Sequence, residues 1–127
     1  MIRQIAPLFF TLDIPGTLAY YKDKLGFECL GTWQDPPVYA IVARDQHAIH
    51  FRCAQPPLAN HDKYSEELLD AYVFVEDADS LYAEYSARGV EFTQEPMDRY
   101  GSVDAGFRDP SGNGWKMIEG RRDGGQA

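Results

Sequence analysis

Two stretches of the chain carry the same order of local signals, and that repetition restricts the available folds more than any other feature. PLFFTLDIPGTLAYYKDKLGFECL begins at Pro7 and AYVFVEDADSLYAEYSARGVEFT begins at Ala71. Each opens on a strand-like run, passes an acidic turn and enters an amphipathic helix. Each helix runs into a glycine, Gly26 or Gly89, which can take the left-handed conformation that closes a helix, and a new strand begins at once. From Thr17 to Glu28 the copies superpose at an offset of 63, pairing Leu18 with Leu81, Gly26 with Gly89 and Glu28 with Glu91. The preceding strands fit better at 64, which predicts a one-residue length change in the turn before the helix.

The segments after the two helices match as well. The first half continues with FECLGTW, VYAIVA and HAIHFRC, and the second with VEFTQEP, SVDAGFR and GWKMIEG. Gly, Asp and Pro separate these runs, and DPSGN before the last one has proline where a turn fixes φ and then Gly112 and Asn113, which tolerate positive φ. Each half therefore reads β-α-β-β-β. The expected boundaries are about 5–53 for the first module, 54–69 for a linker and 70–119 for the second module, with 120–127 as a frayed tail. One such half leaves one face of its sheet bare. Two halves, side by side or swapped between two chains, make a curved mixed sheet with a cleft.

At 127 residues this is a single α+β domain. A formal net charge of −8 with no Lys/Arg cluster argues against nucleic acid and anionic lipid as partners, and favours a cationic ligand by steering. No apolar run approaches the roughly 20 residues of a membrane span. The start, MIRQIAPLFFTLDIPG, lacks the pattern of a signal peptide. Cys29 and Cys53 lie in strand-like runs and are expected as buried thiols, so the protein is expected in a reducing cytoplasm.

The stretches LDIPGTLAYYKDKLGFE and FRDPSGNGWKMIE resemble the vicinal oxygen chelate superfamily, which includes glyoxalase I, extradiol dioxygenases and fosfomycin- and bleomycin-resistance proteins. Asp13, Tyr21, the Leu25-Gly26-Phe27 triplet and Asp109-Pro110 with Gly112-Asn113 carry the resemblance, which covers about Ile5 to Glu119. AIVARDQHAIHFRCAQ and DSLYAEYSARGVEF are most similar to the bleomycin-resistance branch. The resemblance implies a homodimer with ligand grooves at the subunit interface.

Strand alternation orients the candidate site. In HAIHFRC, Ile49, Phe51 and Cys53 should pack under a helix, leaving His50 and Arg52 on the cleft side. An offset of 66 places Trp115 and Met117 under the second helix and Lys116 and Ile118 in the cleft. The opening strands add Ala6, Leu8 and Phe10, then Asp70, Tyr72 and Phe74. Trp33, Tyr39 and Tyr100 fall at the rim.

The candidate ligand-binding residues are therefore Phe10, Trp33, Tyr39, His50, Arg52, Asp70, Tyr72, Phe74, Tyr100 and Lys116, with Lys116 also a candidate partner of Asp70. Flat aromatic walls stack on heteroaromatic rings and attract cations.

The resemblance also implies where a metal would sit, at positions that read Ala6, His50, Asp70 and Lys116 here. Alanine has no donor and a protonated lysine has no lone pair, so no cofactor is expected. The expectation is a non-catalytic protein that sequesters a cationic, aromatic, antibiotic-like molecule. The alternative is a metal-dependent glyoxalase, dioxygenase or thiol transferase, using His50, Asp70 and either Glu119 or Glu76. No nucleophile constellation or Gly-rich phosphate loop is present.

Overall fold

Asp13 and Asp77 start the two helices in the same way. Each carboxylate accepts the backbone N–H three residues on, from Gly16 and Ser80, both at 3.0 Å. Such caps satisfy donors that the first helical turn leaves open. The computed structural model describes residues 1–55, 69–99 and 101–120, with only the backbone of Arg99. In the first module, β1 (Leu8–Thr11) leads to α1 (Ile14–Asp23), then β2 (Glu28–Trp33), β3 (Tyr39–Arg44) and β4 (His47–Cys53). In the second, β5 (Ala71–Val75) leads to α2 (Ala78–Ala87), then β6 (Phe92–Arg99), β7 (Ser102–Arg108) and β8 (Gly114–Glu119). Most of the expected linker and the tail fall outside the described residues.

The strands form two four-stranded mixed sheets with the same topology, β1-β4-β3-β2 and β5-β8-β7-β6. The parallel pair is equivalent in both: Leu8 lies opposite His50, and Tyr72 opposite Lys116. The helices, however, superpose at an offset of 64 throughout, Ile14 on Ala78 and Asp23 on Ala87. The length change falls after the helix, not before it. One residue separates the cap Lys24 from Gly26, whereas Gly89 directly follows the cap Arg88. The additional residue is Leu25, fully buried, whose carbonyl oxygen accepts from Arg44 at 2.7 Å and from the Tyr85 hydroxyl at 3.0 Å.

The helix-covered sides of both sheets contribute to one core. Tyr21 on α1 packs edge-on against Phe51 of the first sheet at 4.9 Å and lies 6.2 Å from Trp115 of the second. Its hydroxyl donates to Asp109 at 2.8 Å and accepts from Trp115 Nε1 at 3.2 Å. Asp109 in turn accepts from the backbone N–H groups of Ser111 and Asn113, and the Asn113 amide donates to the carbonyl oxygen of Phe10 at 3.1 Å. The DPSGN turn is thereby tied to the first module. Arg44 makes a two-point contact with Glu84 on α2, at 2.9 and 3.1 Å, which holds the Glu84 carboxyl below its usual range.

Both cysteines differ from the expectation of burial. Cys29 is exposed and Cys53 half-buried. β2 is an edge strand whose register is irregular between Cys29 and Gly31, and an edge strand leaves side chains uncovered.

Candidate functional site

Because the helix-side faces are taken up by the shared core, the opposite face of each sheet looks away from it. On the first sheet, four side chains form a row across the strands: Phe10 opposite Arg52, Arg52 opposite Tyr39, and Tyr39 opposite Trp33. Directly opposed residues share a face. The Trp33 and Tyr39 rings meet at 5.8 Å and 78°. Tyr39 also meets the His50 ring at 5.6 Å, and its hydroxyl is 2.6 Å from His50 Nδ1. Burial explains the row: Phe9, Thr11, Ala40 and Phe51, which alternate with these residues, point into the core.

The open face of the second sheet carries Tyr72, Phe74, Lys116, Ile118 and Asp104. Tyr72 and Phe74 are 63% and 65% exposed, although large aromatic side chains usually find cover. Lys116 Nζ donates to Gln94 Oε1 and lies 3.8 Å from Asp104 Oδ1, and the Gln94 amide donates to Asp104 as well. Asp70 accepts the Gly114 N–H at 2.7 Å. The lysine is therefore paired along its own sheet, with Asp104, and not with Asp70 as expected. The alternation of SVDAGFR held that signal, since Val103 and Ala105 point inward and Asp104 does not. Gln94 carried none.

The structure groups the candidates on two faces of one copy. Phe10, Trp33, Tyr39, His50 and Arg52 share the first face; Asp70 sits at the start of the second, with Tyr72, Phe74 and Lys116. Tyr100 lies outside the described residues.

A divalent metal, implied by part of the family the sequence resembles, does not fit these residues. Ala6 offers a methyl group, Lys116 an ammonium group, and His50 Nδ1 is already engaged by Tyr39. Glu119 is on the wrong side of β8. It is buried beside Met117, and its Oε1 accepts the first backbone N–H of α2, from Ala78, at 3.0 Å. Among the described residues no three His, Cys, Asp or Glu side chains are grouped to hold a metal ion. Among the described residues, too, no helix is long and apolar enough to cross a membrane.

Comparison with known proteins fits this architecture. The family described as the Glyoxalase/Bleomycin resistance protein/Dioxygenase superfamily matches residues 2–117. No curated protein matches the chain in sequence. A bleomycin resistance determinant encoded on the transposon Tn5 superposes with a TM-score of 0.76 at 21% identity, covering 93% of this chain and 98% of that one. A bleomycin-binding protein complexed with bleomycin gives 0.75 at 20%, covering 94% and 100%. TnmS3, an antibiotic-binding protein from Streptomyces sp. CB03234, gives 0.68 at 20%, covering 94% and 98%. At these identities the likeness is one of fold. With two βαβββ modules in place and the family match spanning nearly its whole length, the chain belongs to the glyoxalase/bleomycin resistance protein/dioxygenase superfamily.

Proposed function

We propose that the protein binds a small aromatic molecule of antibiotic type, stoichiometrically and without turnover, in grooves that form between two copies. The observation that carries this reading is the pair of bare aromatic faces: Tyr72 and Phe74 on one sheet, Trp33 and Tyr39 on the other. The two faces look away from a common core, so a groove with both as walls needs the first sheet of one copy against the second sheet of another. Domain-swapped and side-by-side homodimers both provide that arrangement. Ring faces stack on a heteroaromatic ligand and attract a cation, and the net charge of −8 steers a cation toward the surface. A cytoplasmic location is part of this reading. The neighbours named for bleomycin and antibiotic binding support the ligand class.

The alternative is a metal-dependent enzyme of the same superfamily, which would hold a divalent ion. Its support is the range of chemistries in the superfamily; against it stands the donor set of His50, Asp70, Lys116 and Ala6. Incubation with nickel, zinc or ferrous iron followed by desalting separates the two readings, and about one retained ion per chain would favour the enzyme.

The direct test is a fluorescence titration with bleomycin, read from the exposed Trp33. Saturable binding is expected, and Tyr72→Ala or Phe74→Ala should weaken it by about tenfold, the worth of one well-placed aromatic contact. Unchanged affinity in folded variants would refute the assigned groove.

A further inference from the structure

On the first sheet's open face one charged group stands apart. Among the described residues the Arg52 side chain has no hydrogen bond or ion pair, and it is exposed. The other cation of the candidate set, Lys116, is matched by Asp104 and Gln94 on its own sheet. Arg52 is also framed. Phe10 lies opposite it on β1 and Tyr39 opposite it on β3, with Trp33 beyond Tyr39 at ring contact. Rings on both sides restrict where a guanidinium can swing, and its planar fork matches a carboxylate or another flat anion at two points. The neighbouring His50 is held by the Tyr39 hydroxyl, which fixes the aromatic side of the frame. A purely cationic ligand leaves the arginine of this face unneutralised, so a ligand that also carries an acidic group should bind more tightly.

We infer that the ligand is amphoteric: an acidic group on its aromatic ring system docks on Arg52 between Phe10 and Tyr39, while its cationic part lies against Tyr72 and Phe74. This rests on the proposed groove between copies and specifies the chemistry of its occupant. The acid is a carboxylate or a sulfate ester, each of which presents two oxygens and one negative charge to the guanidinium. Net protein charge then steers the cationic end, and Arg52 selects the orientation.

Four naphthalenes that differ only in their substituents test this with the full chain: 2-naphthoate, 2-(aminomethyl)naphthalene, 6-(aminomethyl)-2-naphthoate and 2-naphthalenemethanol. Dissociation constants come from ligand-observed NMR on wild type, Arg52→Gln and Arg52→Lys. The amphoteric compound is expected to bind most tightly. Arg52→Gln should weaken the two carboxylates by about tenfold or more, the scale of a lost charged hydrogen bond, and leave the amine and the alcohol within about twofold. Arg52→Lys should recover part of the loss. Equal loss for all four compounds, with or without a weaker dimer, would assign Arg52 to the interface between copies and overturn the inference. No loss for any would also overturn it, while the groove would stand. If none of the four binds wild type, the groove itself fails and takes the inference with it.

Discussion

Asp109 is a buried carboxylate at the joint between the modules, surrounded by donors: the Tyr21 hydroxyl at 2.8 Å, the Asn113 backbone N–H at 2.9 Å and that of Ser111 at 3.0 Å. Burial pushes its pKa above the usual carboxylate value, and the hydrogen bonds from Asn113, Tyr21 and Ser111 oppose that rise without cancelling it. Tyr21 is held well above the ordinary phenol range by its own burial first and by Asp109 second, so it remains a neutral donor. With the folded pKa of Asp109 raised, the folded state binds this proton more tightly than the unfolded state. Its contribution to stability is therefore greatest at acid pH, falls as pH climbs from the ordinary carboxylate value through the raised one, and is level above it. Urea denaturation of wild type and Asp109→Asn across that window should show a stability gap that is widest at the acid end and narrows with rising pH. A gap that widens with pH would contradict the assignment.

At the scale of elements, the repeat makes two equivalent helices, and the residue that breaks the symmetry joins the halves. Leu25 turns its carbonyl toward Arg44 and Tyr85, and Gly26 comes next with φ of +77°. A methyl group at Gly26 would also come within 2.8 Å of Arg44 Nη1. Gly26→Ala should cost about 1–2 kcal/mol for the left-handed backbone alone, measurable by chemical denaturation. A loss clearly above that would show the Arg44 contact failing with it. Most of this level was legible in advance. The aspartate caps, the closing glycines and the strand alternation each state a local preference, and the two sheets result from them. The position of the length change was not legible, because the identities at Leu18, Gly26 and Glu28 drew the alignment to 63 while the caps obey 64. Cys29 was misread for a related reason: hydrophobic runs do not reveal which strand becomes an edge.

For the whole molecule, the open faces are the feature that needs an explanation. A monomer would leave Tyr72, Phe74, Trp33 and Leu8 in water, a larger apolar display than isolated surface residues require. Alternation identified the members of each face, but it could not say that the faces point away from each other. Their opposed direction is set by Tyr21 touching both Phe51 and Trp115. Gln94, the second partner of Lys116, was beyond sequence reach as well, since its position depends on a register that bulges shift.

The claim that each groove takes one wall from each of two copies can be measured most directly with mixed dimers. One copy would carry Trp33→Ala with Arg52→Gln, the other Tyr72→Ala with Phe74→Ala, co-produced with separate tags. Their bleomycin binding would be compared with that of each parent. A groove shared between copies predicts that the mixed dimer recovers one near-wild-type site, because one of its two grooves inherits both intact walls. Binding no better than either parent would place the two walls of each site within a single chain and contradict the shared groove.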